Sequence, residues 1–292
     1  MTFPFAKEYP DTPYPGYWEG VTSTIDWCEE NYVVTPYIAE AMNTISNAVF
    51  ILLAIFAMQS AYRNNFEVRF VLISFGFMLV GVGSWLFHMT LKYEFQLLDE
   101  LPMIYATCVP LWSIFSEGKS YGQSVAVGTA VAFGANLLTA VYLYFKDPTI
   151  HQVAYAIMNV LIVYVSYGLA QKYATNQKRK SDLFKVMVQG IVIFLSGYLL
   201  WNMDVHLCKS WISLRRSIGM PYGFFFELHA WWHILTGTGV YFYVVYLEYL
   251  RVMILGKEKD YVLVHHFFFL PELKLKSKPT SLVDAVDVKK SK

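Results

Sequence analysis

Four clusters of polar residues interrupt long apolar stretches of this chain. They are Gly83–His88, Leu97–Glu100, Met203–His206 and Glu227–His233. An ionisable side chain in or beside a membrane-spanning stretch is costly unless it is paired or functional, so such groups mark candidate sites. The four clusters contain histidines, carboxylates and a serine, which are residue types that bind metals and transfer protons.

Three histidines in these clusters predict a zinc site. His229 and His233 are four residues apart, which places both imidazoles on one face of a helix, about one turn apart. His88, on a different stretch, supplies a third nitrogen. Three histidine ligands leave the fourth position of zinc open for water, which is typical of a catalytic zinc ion. Ser84, one turn before His88, and Asp99, after a short loop, are the expected polar partners.

The zinc hypothesis depends on the whole set, because a histidine pair with this spacing also occurs at packing positions. His206 is a competing ligand, and its simpler interpretation is a histidine at the membrane surface near Asp204. His265 and His266 follow the last apolar stretch, and they cannot reach the site in the topology argued below.

A second group of potential ligands precedes the first apolar stretch. Asp26, Glu29 and Asn31 offer alternating oxygen ligands, as a calcium loop does, and Glu40 follows them. The spacing does not match an EF-hand. From the residues alone, a solvated acidic loop is therefore the simpler interpretation.

Two of the three cysteines are candidates for a disulfide bond. Cys28 and Cys208 both fall on the outer side of the predicted topology, where the lumen is oxidising. Cys108 lies within the third apolar stretch and has no partner there. A bond between Cys28 and Cys208 would pin the acidic loop over the connection between the sixth and seventh stretches.

The elements that carry these residues are predicted to be membrane-spanning helices. Of the 292 residues, 56% are hydrophobic and only 15% are charged, whereas a soluble domain is about 25% charged. The net charge of +1 lacks the basic excess of a nucleic-acid-binding protein. Seven apolar stretches reach the length of roughly 17–25 residues that crosses the hydrocarbon core. They cover approximately 43–62, 68–88, 98–116, 122–144, 153–173, 183–203 and 224–250.

The distribution of basic residues predicts the orientation of these spans. With seven spans and the N-terminus outside, 17 of the 23 Lys and Arg residues lie on the inner side, as the positive-inside rule requires. A count of six spans would put both termini on one side and spoil this alternation. We therefore predict an all-α membrane protein, a seven-transmembrane-helix bundle with a lumenal N-terminus and a cytosolic C-terminus. All four polar clusters then lie at the lumenal end.

This topology divides the chain into three regions. Residues 1–42 form a lumenal acidic segment, 43–255 the seven-helix catalytic domain and 256–292 a cytosolic basic tail. The tail ends in Lys289-Lys290-Ser291-Lys292, which matches the dilysine signal read by the retrieval machinery of the endoplasmic reticulum. A basic tail beside anionic lipid is the simpler alternative. We predict a multi-pass protein of the endoplasmic reticulum membrane, with the Golgi as the alternative.

Four segments together resemble the alkaline ceramidase family, and most closely its fungal dihydro- and phytoceramidase branch. They are Asp26–Asn31, Gly81–Tyr93, Gln96–Tyr105 and His229–Gly237, within a resemblance that extends from about residue 10 to residue 255. The resemblance implies a seven-span, zinc-dependent membrane amidase of the superfamily that includes the adiponectin-type receptors. Its implied substrate is ceramide, with phytoceramide or dihydroceramide expected, and it implies that some members also run the reaction in reverse.

The resemblance also implies a role for particular residues. By position, His88, His229 and His233 would bind zinc, and Ser84 and Asp99 would be the catalytic partners. The implied calcium ligands are Asp26, Trp27 through its backbone carbonyl, Glu29, Asn31 and Glu40. The family also pairs the cysteines at the positions of Cys28 and Cys208.

Two other classes of function stay open at this point. A lipid-sensing receptor would share the three-histidine site, but the cytosolic side offers only short loops and a basic tail for coupling. A transporter is less favoured, because the polar residues gather at one end of the bundle instead of at its midplane. Catalytic turnover separates the enzyme from both.

Overall fold

The computed structural model describes residues 4–276, and most of them form helices that pack side by side. The helices are α1 (Ala41–Ser46), α2 (Ala48–Arg63), α3 (Val68–Thr90), α4 (Tyr93–Phe115), α5 (Tyr121–Phe145), α6 (Pro148–Tyr173), α7 (Gln177–His206), α8 (Cys208–Ile218) and α9 (Leu228–Ile254). A single 3-10 turn, Tyr222–Phe226, precedes α9, and two strands, β1 (Tyr261–His266) and β2 (Leu270–Leu275), follow it.

Five helical segments are long and apolar enough to cross a membrane by length and composition. They are Ala41–Arg63, Val68–Thr90, Tyr121–Phe145, Pro148–Tyr173 and Gln177–His206. At 1.5 Å per residue, α4 with 23 residues and α9 with 27 residues also exceed a hydrocarbon core of about 30 Å. The structure therefore supports a helical, multi-pass membrane protein, and the count of seven spans and their orientation stay predictions.

Local signals in the sequence fix where several helices begin. The Ser120 hydroxyl accepts a hydrogen bond from the backbone N–H of Gln123, whose side chain bonds back to Ser120 and completes a capping box before α5. Asp147 caps α6, which begins with Pro148 at its first position. Both Pro102 and Pro110 lie inside α4, which continues through them to Phe115. The third apolar stretch, predicted to be a span interrupted by prolines, is thus one continuous helix, α4.

The C-terminal region departs from the predicted all-α fold. Strands β1 and β2 pair antiparallel, with Tyr261 opposite Leu275 and His266 opposite Leu270. The tail predicted from residue 256 therefore includes a hairpin, because aromatic and β-branched residues in 261–264 favour a strand. The dilysine signal at Lys289 and Lys290 lies outside the described residues.

Candidate metal centre

The three predicted zinc ligands come together at one end of the bundle. His88 lies on α3, and His229 and His233 lie in the first turns of α9. One ring nitrogen from each histidine lies within 4.8 Å of the others, and all three side chains are buried. His206, the competing ligand, is exposed at the end of α7. The one group of three or more potential metal ligands found among the described residues is therefore this histidine set.

Two of these rings are held through their second nitrogen. The Glu40 carboxylate contacts Nδ1 of His88, and the Ser46 hydroxyl lies 2.8 Å from Nδ1 of His233. Metal-binding histidines usually bond their other ring nitrogen in this way, which fixes both ring orientation and tautomer. Because Glu40 and Ser46 contact the Nδ1 atoms, the Nε2 atoms of His88 and His233 point away from these two residues.

Two ring nitrogens of these histidines lack a hydrogen-bond partner in the described part of the chain and suit a metal ion. Nε2 of His88 and Nδ1 of His229 are buried, and neither has a hydrogen-bond partner among the described residues. A buried polar atom without a partner costs about 1–3 kcal/mol, so a folded protein rarely leaves two of them side by side. A cation bound by the three imidazoles would give such a nitrogen a partner, and an all-nitrogen donor set suits zinc.

The two predicted catalytic partners lie together one helical turn from His88. Ser84 is buried on α3, and its side chain lies beside the Asp99 carboxyl on α4. Gly83 permits this contact: a Cβ atom there would lie 2.0 Å from the carbonyl oxygen of Leu98. Only a residue without a side chain lets the two backbones approach so closely.

The predicted calcium ligands lie in one loop beside the histidines. The Asn31 amide donates to both carboxylate oxygens of Asp26, at 3.2 and 3.3 Å, and the Trp27 backbone N–H donates to Glu40 at 3.2 Å. The carbonyl oxygen of the Asn31 side chain is buried without a partner among the described residues. Glu29 accepts hydrogen bonds of 2.7 Å from the backbone N–H groups of Met42 and Asn43, at the start of α1.

Buried carboxyl groups accumulate around this loop. Glu29, Glu40, Asp204 and Glu227 are all buried, whereas Arg215 is the one buried Lys or Arg side chain among the described residues. Burial, together with the charge of Glu40, raises the pKa of Glu29 to about 8. Apart from Arg215, this cluster lacks a cation among the described residues. Its carboxylate oxygens and the unpartnered side-chain carbonyl of Asn31 are ligands that suit calcium.

Two cross-links hold the loop over the histidines. Cys28 and Cys208 form a disulfide bond with their Cα atoms 5.4 Å apart, which confirms the predicted pair. The Arg215 guanidinium donates to the carbonyl oxygen of Cys28 at 2.6 Å and pairs with Glu227 at 2.8 Å. In addition, the Trp27 ring stacks on the His229 ring with centroids 4.2 Å apart. The loop and the metal centre therefore form one structure.

Sequence reasoning missed Ser46 and Arg215. Ser46 belongs to the polar run Asn43–Asn47 at the start of the first apolar stretch. That run could have been singled out by the same rule that identified the four clusters. Arg215 gave no such signal, because a basic residue in an outer connection is expected to be solvated. Its burial follows only from the fold of α8 against the N-terminal loop.

A cavity of about 710 Å³ opens between the helices below the site. Its walls are mainly apolar and aromatic and include Val80 on α3, Met103 on α4 and Phe194 on α7. Val80 is one turn from Ser84 on α3, so the cavity comes within about one helical turn of the polar residues. A long apolar chain fits such walls.

A helical bundle with buried histidines and an apolar cavity is consistent with a membrane protein that acts on lipids, and sequence comparison specifies the class. The sequence model of the family described as ceramidase matches residues 19–274, and this chain belongs to that family. The alkaline ceramidase YPC1 of Saccharomyces cerevisiae is 46% identical over 290 residues, covering 95% of this chain and 92% of that protein. Alkaline ceramidase 3 of Mus musculus is 40% identical, covering 82% and 88%.

These relatives decide between the classes of function left open by the sequence. The alkaline ceramidase of Arabidopsis thaliana is also similar, at 29% identity over 80% of this chain and 86% of that protein. The prediction of an enzyme of the alkaline ceramidase type is confirmed at the level of the family. The receptor interpretation is not favoured by them.

Proposed function

We propose that this protein hydrolyses the amide bond of ceramides at the three-histidine centre and releases a free sphingoid base and a fatty acid. One observation carries the proposal: His88, His229 and His233 are buried, with one ring nitrogen of each within 4.8 Å of the others. The printed names of the relatives support the reaction class. Phytoceramide and dihydroceramide are the proposed substrates.

Zinc is the proposed metal, and His88, His229 and His233 would hold it. When bound, such an ion activates water and polarises the substrate carbonyl. Glu40 and Ser46 keep two of the imidazoles in the orientation that binding needs. Burial excludes bulk water from the centre, which strengthens the electrostatic interactions made there.

Asp99 and Ser84 are the proposed catalytic residues. In hydrolysis, water adds to the amide carbon, the C–N bond breaks, and the amine leaves with a proton. Asp99 accepts the proton of the attacking water and later passes it to the leaving nitrogen. Ser84 has a single hydroxyl proton, and its side chain lies beside the Asp99 carboxyl. When substrate enters, that hydroxyl turns to the developing oxyanion and frees the Asp99 carboxylate for the water.

The same groups would serve the reverse reaction, in which a fatty acid and a sphingoid base condense with loss of water. Asp99 would then take the proton from the incoming amine, because the forward and reverse paths share one transition state. The apolar cavity offers little discrimination of acyl length, since one methylene group is worth about 1–3 kcal/mol in such a pocket. We therefore propose that the polar end of the site determines which sphingoid base is preferred.

Calcium is the proposed occupant of the N-terminal loop. Asp26, the Trp27 carbonyl, Glu29, Asn31 and Glu40 would bind it, and its role is to brace the loop against the helix ends. We further propose the seven-span arrangement with a lumenal N-terminus, which puts the centre at the lumenal surface. The C-terminal dilysine would then be read in the cytosol for return to the endoplasmic reticulum.

Replacement of one histidine tests the proposal directly. His233→Ala removes a proposed ligand, and we expect loss of ceramide hydrolysis while the protein still inserts and folds. His206→Ala is the matched control, because His206 is another histidine at the same end of the bundle and is exposed. Release of sphingoid base by purified protein is the measurement. Full turnover in His233→Ala would exclude the three-histidine centre as the site of reaction.

A further inference from the structure

The β-hairpin after α9 has three consecutive phenylalanines at its tip. Phe267, Phe268 and Phe269 connect β1 to β2, and their side chains are 82%, 102% and 58% exposed. Exposed aromatic residues in such a row are unusual on a surface that faces water. This hairpin is remote from the histidines. It packs along α2, starting at the end of α2 that is farther from α1.

Contacts with α2 show which way the hairpin runs. At its base, the Tyr261 hydroxyl donates to the carbonyl oxygen of Asn64, just after α2 ends. In the middle, Ser60 donates to Glu272 at 2.9 Å. Near the tip, the rings of His266 and Phe56 are 5.6 Å apart. The hairpin therefore folds back along α2, toward the middle of the bundle.

This direction sets the depth of the tip. Phe56 is eight residues before Asn64, which is about 12 Å along a helix axis. Both the helix α2 and its extension α1 belong to a segment long and apolar enough to cross a membrane. A point about 12 Å inward from the end of such a helix lies beyond the headgroup layer, at the level of acyl chains. The lipid-facing neighbour Leu52 on α2 is 66% exposed at a similar depth.

Charge at the base of the hairpin fits the same placement. Lys257, Lys259 and Lys276 are exposed where the hairpin leaves α9 and where β2 ends. Lysines at that level meet lipid phosphates, and the aromatic tip meets the hydrocarbon beneath them.

The backbone conformation of the turn indicates that the phenylalanines do more than connect the two strands. Phe267 and Phe268 adopt φ values of 49° and 68°, in the left-handed region. Asn and Gly are the residues favoured at such turn positions, since a bulky side chain there is strained. A turn selected only to connect two strands would not use two phenylalanines.

We infer that the Phe267–Phe269 tip inserts into the acyl-chain region of the leaflet opposite the histidine end. The hairpin then anchors the C-terminal region to the bilayer beside α2. This inference is independent of the proposed hydrolase activity, because it depends only on the depth and exposure of the tip.

Site-directed spin labelling of the full chain in phospholipid vesicles tests the inference. In a Cys108→Ala background, Phe268→Cys places a nitroxide at the tip. Leu52→Cys is the matched lipid-facing control, and Lys259→Cys is the matched control for the aqueous side. Collision with oxygen, which partitions into the bilayer, is compared with collision with a water-soluble nickel chelate.

We expect the Phe268 label to match the Leu52 label, with high oxygen and low nickel accessibility. Nickel accessibility like that of Lys259 would overturn the inference and place the tip in water. Low accessibility to both reagents would also overturn it, because the tip would then be covered by protein or by a second copy. Phe267→Cys and Phe269→Cys repeat the test if Phe268→Cys fails to fold.

Discussion

At the scale of single residues, the orientation of the histidines depends on groups that are not themselves proposed zinc ligands. Ser46 lies 2.8 Å from Nδ1 of His233, and Glu40 contacts Nδ1 of His88. Each holds an imidazole so that the other nitrogen points to its neighbours. A metal site built this way loses affinity when the outer hydrogen bond is removed, even though every ligand is still present.

Ser46→Ala therefore weakens zinc binding without removing a ligand. We expect a loss of affinity of about 10–100-fold, the range found for such outer partners. The measurement is competition for zinc with a chelator of known affinity. Ser196→Ala is the matched control, since the exposed Ser196 hydroxyl bonds only the carbonyl of Val192 on its own helix. Equal affinity in both variants would show that Ser46 does not position His233.

The residues that could bind metal were predictable from the sequence, and their supporting residues were not. His229 and His233 are identified by helical spacing, and His88 by its place at the end of an apolar stretch. Arg215 and Ser46 act through contacts with residues far away in the chain, such as Cys28 and His233. Spacing within one element contains no information about such contacts.

At the scale of elements, the approach of α3 to α4 brings Ser84 to Asp99. Gly83 is the point of closest approach, where a Cβ atom would lie 2.0 Å from the backbone of Leu98. Backbone atoms cannot move aside as a flexible side chain can. The two helices must separate if any side chain is added at this position.

Gly83→Ala is expected to reduce turnover strongly, because separation of the helices displaces Asp99 from Ser84. Misplacement by about 1 Å can cost about 100-fold in rate. The rate of ceramide hydrolysis is the measurement. Gly134→Ala on α5 is the control, since a Cβ atom there meets nothing within 4 Å. A Gly83→Ala enzyme with normal turnover would contradict the role given to this contact.

The sequence predicted the long helices better than the elements that join them. Apolar stretches of sufficient length correspond to α2, α3 and α5–α7, and the cap at Ser120 marks a helix start. The hairpin of β1 and β2 was missed, because its strands are short and the tail was classified by its basic residues alone. The helix α8 was missed for a related reason: it lies in a connection that length alone does not define.

At the scale of the whole molecule, the N-terminal loop and the bundle stabilise each other. The Cys28–Cys208 disulfide, the buried Arg215 and the stack of Trp27 on His229 all join the loop to the histidine end. The loop also contains more buried carboxylates than Arg215 can balance. Binding of calcium there should therefore stabilise the fold as a whole.

Calcium is expected to raise the thermal unfolding midpoint of the purified protein. A ligand at 100 times its dissociation constant contributes about 2.7 kcal/mol if it binds only the folded state. Magnesium should be less effective, because it requires a smaller, more regular site. Asn31→Ala removes a proposed ligand and should abolish the calcium effect. An unchanged midpoint with and without calcium would contradict the proposed calcium site.

The central claim is that the buried histidines form a zinc centre that hydrolyses ceramide. The most direct measurement is release of sphingoid base from phyto-, dihydro- and unsaturated ceramides by the purified full chain at alkaline pH. It is made with zinc, after a zinc chelator, and after zinc is restored. We predict release that the chelator stops and zinc restores, with phytoceramide or dihydroceramide preferred. Release that persists after zinc has been removed, or no release from any of the three by folded, zinc-loaded protein, would contradict the account.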